Sequence, residues 1–119
     1  MGSVVTMSDC LFCKFVSGEI KADVVHETET TLAFRDINPQ APTHVLVVPK
    51  AHHVNAAALA AADPQGMADV VGAAAAVAEI DGLGEGYRLV FNTGAQSGQT
   101  VFHVHCHVLG GRAMTWPPG

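Results

Sequence analysis

The 119-residue sequence predicts an α+β fold, an antiparallel sheet of about five strands with one main helix and one or two short helices. Three observations carry that prediction. Short apolar or alternating segments rich in Val, Leu and Phe are divided by Pro, Gly and polar turns. One long segment repeats apolar residues at i, i+3 and i+4, and two more strand-like segments follow it. Short connections favour antiparallel pairing, with the helices expected on one face of the sheet.

From Cys10 to Glu19 the run Cys-Leu-Phe-Cys-Lys-Phe-Val spaces its apolar residues for one or two helical turns, and Gly18 is the expected stop. Asp23 to Glu27 and Thr31 to Asp36 read as a hairpin around a polar turn at Thr28 to Thr30. The two prolines of Asp36-Ile37-Asn38-Pro39-Gln40-Ala41-Pro42 make a rigid connection. Thr43 to Val48 is then a strongly apolar strand, with His44, Leu46 and Val48 on one face and Val45 and Val47 on the other.

After His52 and His53 an Ala-rich segment to Ala62 suits a short helix or turn. Asp63 as N-cap, with Pro64 in the first helical position, starts the main helix. Met67, Val70, Val71, Ala74, Val77 and Ala78 form its apolar stripe, and Asp81-Gly82 ends it. Tyr87 to Asn92 is another strand. A Gly-rich loop from Asn92 to Thr100 delivers the chain into the final strand, His103 to Leu109.

Length fits one domain, taken as residues 9–119 behind a loose leader at 1–8. Apolar residues make up 49% and the net charge is −5, which argues against a phosphate-backbone binder, so no nucleic-acid partner is expected. No apolar run approaches a membrane span and no signal-peptide pattern opens the chain, so no membrane partner and a cytoplasmic location are expected. Three cysteines do not form a disulfide framework, and Cys10-x-x-Cys13 points to metal or redox work.

The final strand carries the chemistry. Alternation puts His103, His105 and His107 on one face, roughly 6.6 Å apart, with Phe102, Val104, Cys106 and Val108 toward the core. Imidazole titrates near neutrality and serves as nucleophile, proton donor or ligand. The preceding loop is poor in side-chain bulk, so its amides, with Asn92, Ser97, Gln99 and Thr100, suit phosphate oxygens. His44 is either a satisfied core histidine or a member of the same site.

His103-Val104-His105-Cys106-His107-Val108-Leu109 resembles the signature of the histidine triad (HIT) superfamily of nucleotide hydrolases and transferases. Cys10-Leu11-Phe12-Cys13-Lys14, the segment Ala33 to Pro42 and His44 to Lys50 resemble that family's markers in order, and the tail Gly110 to Gly119 resembles its Hint branch. The resemblance implies a HIT-like fold and hydrolysis of the P–N bond of purine nucleoside phosphoramidates, AMP or GMP conjugates. His105 would be the nucleophile, His107 the phosphate contact and proton donor, and His103 and His44 the supporting histidines. Asp36 would take the ribose hydroxyls, and Leu11, Phe12, Phe15, Phe34 and Ile37 would surround the base. Asn92, Gly98, Gln99 and Thr100 would meet the phosphate, and Trp116 is either a plain surface aromatic or part of a partner subunit's leaving-group site, since Hint relatives form homodimers.

Cys10, Cys13, His52 and His103 would make a closed Cys2His2 site suited to structural zinc, with no metal needed for the chemical step. A redox pair, or two buried apolar cysteines, remain open alternatives. Two other functions compete with the phosphoramidase reading. One is dinucleoside polyphosphate hydrolysis, the other a nucleotide-binding or scaffolding role with little turnover. A zinc-dependent transferase is weaker, because those relatives usually carry Gln where this chain has His107.

Overall fold

A computed structural model describes residues 9–119; the leader expected at 1–8 lies outside the described residues. Helix α1, Leu11–Ser17, starts on Cys10, whose thiol accepts the Cys13 N–H, and stops where Gly18 turns left-handed at φ 82. Strands β1, Val24–Glu27, and β2, Thr31–Arg35, form the expected hairpin, and β3 runs Thr43–Pro49. Helix α2, Ala56–Ala62, and the main helix α3, Pro64–Ile80, follow as a pair. Asp63 caps α3 by accepting the Gly66 N–H, and Pro64 occupies the first position, where a missing N–H costs nothing. Strand β4, Tyr87–Val90, a 3₁₀ turn at Ala95–Ser97 and β5, Cys106–Gly110, complete the fold.

The five strands form one antiparallel sheet in the order β1-β2-β3-β5-β4, as the α+β reading requires. Two cores lie on its two faces. Ala33, Val45, Val47, Cys106 and Val108 pack against Leu59 of α2 and Val70, Ala74 and Val77 of α3. Leu32, Phe34, Leu46 and Val48 pack against Cys10 and Phe12 at the start of α1.

Helices therefore cover both faces, not one as the sequence suggested. Helix α1 is short and its stripe small, but Phe12 and Cys10 are buried partners for a sheet face that would otherwise stay wet. Three stripe assignments also change. Val71 is exposed, and the buried positions of α3 include Ala73 and Gly66, the latter leaving room for the Asp63 cap and Leu59 of α2.

Strand β5 begins at Cys106, three residues later than the histidine pattern implied. Strict alternation of burial holds from His105 to Gly110. Before it, His103 and Val104 are both buried and Phe102 is exposed, because the approaching chain is tied to the His52-His53 segment by the Val104 N–H on the His53 carbonyl. Strand β4 likewise stops at Val90, short of Asn92.

Arg35 at the end of β2 pairs with both carboxylate oxygens of Asp81 at the end of α3, at 2.9 and 3.0 Å, and the Thr43 hydroxyl donates to the same group at 2.8 Å. That clasp sets the last turn of α3 against the sheet where Asp36 and β3 begin. Hydrogen bonding to Arg35 is the main reason the Asp81 carboxyl is held below its usual range, with burial opposing.

Candidate functional site

The β3–β5 register pairs Leu46 with His107 and His44 with Leu109, so His44, His105 and His107 all project from the α1 face of the sheet. His103 does not share their open surface. It is completely buried on the same side of the sheet, against Cys10, Cys13, His52 and Phe12, in the turn before β5.

Hydrogen bonds fix which nitrogen of each ring carries its proton. The Gln40 N–H donates to His44 Nδ1 at 3.0 Å, so Nδ1 is the acceptor and Nε2 bears the proton. Nε2 then donates to His107 Nδ1, 2.8 Å away, with the Asp36 carboxylate 3.5 Å off. His107 is thereby left as the Nε2–H tautomer. Among the described residues that Nε2 is buried and has no partner in the protein.

His105 is set the opposite way. The His103 carbonyl accepts its Nδ1–H at 2.9 Å, leaving Nε2 as the lone-pair nitrogen of a ring packed edge-on against Phe12 and 5.1 Å, centre to centre, from His107. One nucleophilic nitrogen and one unpartnered N–H donor thus lie side by side.

Burial keeps these rings neutral. Desolvation is the main cause for each: it lowers His44 and His105 below the usual imidazole range and pushes His107 down to about 4, with Asp36 partly opposing in all three. At pH 7 His105 is an uncharged imidazole ready to attack, and needs no general base.

The four residues Cys10, Cys13, His52 and His103 converge as the resemblance implied, with one ligand atom from each within 4.8 Å of every other. The His103 Nε2–H donates to the Pro49 carbonyl at 2.8 Å, which turns the Nδ1 lone pair toward Cys10 Sγ at 3.3 Å and Cys13 Sγ at 3.5 Å. His52 Nδ1 lies 3.4 Å from Cys13 Sγ. A tetrahedron with metal–sulfur bonds near 2.3 Å and metal–nitrogen bonds near 2.0–2.1 Å has S–N edges of about 3.5 Å, so the set fits a zinc ion. The carbonyl partner of Nε2 is the outer support expected of a ligating histidine.

Asp36, His44 and His107 also converge within 4.8 Å. They do not fit a metal. His44 Nδ1 accepts a backbone N–H, so Nε2 must carry a proton and has no lone pair to give.

The other expected site residues divide. Asp36 follows β2 beside His44, with Oδ1 accepting the Asn38 N–H at 2.8 Å. Phe12 and Phe34 are buried together in an edge-to-face pair, with Phe15 against both. They form the wall under the histidines, so these rings are core more than open pocket. Leu11, Ile37 and Trp116 are exposed.

Gln99 differs most from its expected role. It is buried, and its carboxamide accepts the Gly94 N–H and donates to the Val54 and Val101 carbonyls, so it braces the loop instead of facing a ligand. Thr100 and Gly98 are exposed on that loop, where Gly98 takes φ 97, and Asn92 is half-buried at its start.

Three functional groups escaped the sequence reading: the Gln40 amide, the His103 carbonyl and the Pro49 carbonyl. All are backbone atoms, and no side-chain pattern reports where a backbone group points. A recess of about 920 Å³ between residues 82–88 and 111–114 includes none of these histidines.

Comparison with known proteins gives the family and the fold. The family model described as the HIT domain matches residues 17–114. The chain is 47% identical over 116 residues to the 14 kDa zinc-binding protein of Zea mays, covering 94% of this chain and 89% of that one. It is 44% identical over 116 residues to adenylylsulfatase HINT1 of Arabidopsis thaliana, covering 94% of this chain and 78% of that one. Among solved structures, a HIT family hydrolase of Legionella pneumophila superposes with a TM-score of 0.88 at 51% identity, over 92% of this chain and 99% of that one.

Proposed function

The chain belongs to the HIT domain family, on its Hint-like branch, and from that premise we propose that it hydrolyses purine nucleoside phosphoramidates at the P–N bond. One observation carries the proposal: the buried, unpartnered Nε2–H of His107 beside the lone-pair Nε2 of His105. A buried donor without an acceptor costs about 1–3 kcal/mol, and a phosphoryl oxygen or a leaving nitrogen would supply what it lacks.

In this reading His105 Nε2 attacks the α-phosphorus, the P–N bond breaks, and its electron pair stays with the amine nitrogen. His107 Nε2–H gives its proton to that nitrogen as negative charge develops there, so the amine leaves neutral, and the water that attacks in the next step returns a proton to His107 Nε2. Water then attacks the phosphorus of the nucleotidyl-histidine and returns His105 free. Asp36 takes the ribose hydroxyls. The loop amides around Gly98, with Asn92 and Thr100, hold phosphoryl oxygens, and Leu11 and Ile37 give the base an apolar margin over Phe12 and Phe34. Trp116 belongs to the leaving-group end.

Zinc, held by Cys10, Cys13, His52 and His103, is structural in this proposal and supplies no chemistry to the P–N step. We further propose a cytoplasmic homodimer. The outer edge of β4 is unpaired in the sheet order, and Tyr87 on that strand is exposed. Sedimentation at micromolar concentration tests the dimer.

A second reading takes an adenylyl sulfate as substrate, since a relative carries that name and sulfate leaves without needing a proton. Steady-state hydrolysis of adenosine phosphoramidate and of adenylyl sulfate, by the parent and by His105→Ala, separates the readings. Many turnovers on the phosphoramidate, abolished in a variant that still binds AMP, are expected. AMP binding without turnover on either substrate overturns the enzyme and leaves a binding module.

A further inference from the structure

We propose that Cys10 and Cys13 are a redox modification site, a dithiol that a peroxide closes into an intramolecular disulfide, with closure and metal binding excluding each other. The two sulfurs already lie within 4.8 Å and the Cys13 amide donates to Cys10 Sγ at 3.3 Å, so the loop to be closed is short and preformed. Extended backbone at Cys10, φ −84 and ψ 118, brings its side chain back over the first turn, where Cys13 sits. Closure needs rotation of the two side chains, not rearrangement of the sheet.

Access and isolation favour this pair over any other. Cys13 is partly exposed and Cys10 is 3% exposed, so an oxidant meets Cys13 first and Cys10 resolves it. Cys106, the remaining thiol, is fully buried in the core on the opposite face of the sheet. It can neither compete for Cys13 nor be oxidised in its place without unfolding.

The step balances with hydrogen peroxide as the two-electron oxidant. Cys13 sulfur attacks one peroxide oxygen, the O–O bond breaks, and one water leaves as a sulfenic acid forms. Cys10 sulfur then attacks the Cys13 sulfur, the S–O bond breaks, a second water leaves and the S–S bond remains. From the metal-loaded protein two sulfur–metal bonds are broken instead of two S–H bonds, the ion is released, and two protons come from solvent. Both sulfurs are needed for either state, so one chain cannot hold both.

The test treats the zinc-loaded full chain, and the same chain stripped by a chelator, with hydrogen peroxide. Zinc release is followed with a colorimetric dye, and mass and peptide mapping follow after alkylation. The expected result has three parts: a mass lower by two hydrogens, a Cys10–Cys13 link in the mapped peptide, and release of one zinc per chain that dithiothreitol reverses. Cys106→Ala should behave as the parent, and Cys13→Ser should not close. Stepwise oxygen addition at Cys13 with Cys10 still alkylatable overturns the dithiol, and disulfide formation with zinc retained overturns the exclusion. The stripped chain decides the disulfide alone, should the loaded one resist peroxide.

Discussion

Replacing His44 by Phe would test the proton placement on which the site rests. The histidine ring is 6% exposed, so a phenyl ring at this position would fill nearly the same volume while removing both ring nitrogens. Two hydrogen bonds disappear, Gln40 N–H to Nδ1 at 3.0 Å and Nε2–H to His107 Nδ1 at 2.8 Å. Gln40 is exposed, so water takes over its amide at little cost. His107 Nδ1 has no such relief, and an orphaned buried acceptor costs about 1–3 kcal/mol.

The same loss removes the bias that keeps the His107 proton on Nε2. A neutral hydrogen bond of about 1.4 kcal/mol corresponds to tenfold in the tautomer ratio. His44→Phe should therefore lower kcat of the proposed phosphoramidase reaction roughly tenfold or more, with KM moving less. Nitrogen NMR of labelled His107 should show the proton divided between the two ring positions. His44→Gln retains an N–H donor for His107 Nδ1 and should recover part of the loss. An unchanged His107 tautomer in His44→Phe would refute the reasoning, whatever happened to the rate.

Three further outcomes are expected. Asp81→Ala removes the acceptor of two Arg35 bonds and strands the buried Thr43 hydroxyl; Arg35 is half-exposed and rehydrates, so the loss in urea unfolding should be about 1–3 kcal/mol, mostly from Thr43. Gly111→Ala forces a side chain onto φ 86 with its Cβ 2.8 Å from Pro42 Cβ, and should lower stability by about 1–3 kcal/mol in the same assay. Burial, reinforced by His105 and His44, pushes His107 down from 6.5 to about 4, so in that window the unfolded chain binds the proton first. Its contribution is whole above pH 6.5 and is lost as pH falls through about 4, of order 2 kcal/mol once partial exposure is allowed for, and His107→Gln should flatten that part of the thermal midpoint against pH.

Much of this was legible in the residues. Asp63-Pro64 announces α3 because a cap and a fixed φ are local properties, and the faces of β3 follow from alternation alone. The limits are equally physical. Alternation put His103 on the face of His105 and His107, and its contacts with Cys10, Cys13 and Phe12 agree; its complete burial was not legible, because the ties to the His53 and Pro49 carbonyls span about fifty residues of chain. Gln99 looked like a ligand group because a carboxamide's chemistry is visible and its partners are not. Placement of α1 on the second face depended on which side of a half-formed sheet was left apolar, a property of the assembled strands.

The bond between His44 and His107 joins residues 63 apart in the chain and crosses from β3 to β5. Closing so long a loop is among the entropically costly events of folding, and it comes after local hairpins and helices have formed. The proton placement at His107 therefore arrives last. A nascent or half-folded chain already contains these imidazoles, and His105 can be set by the nearby His103 carbonyl, but the His107 proton has no fixed place until the two strands zip together.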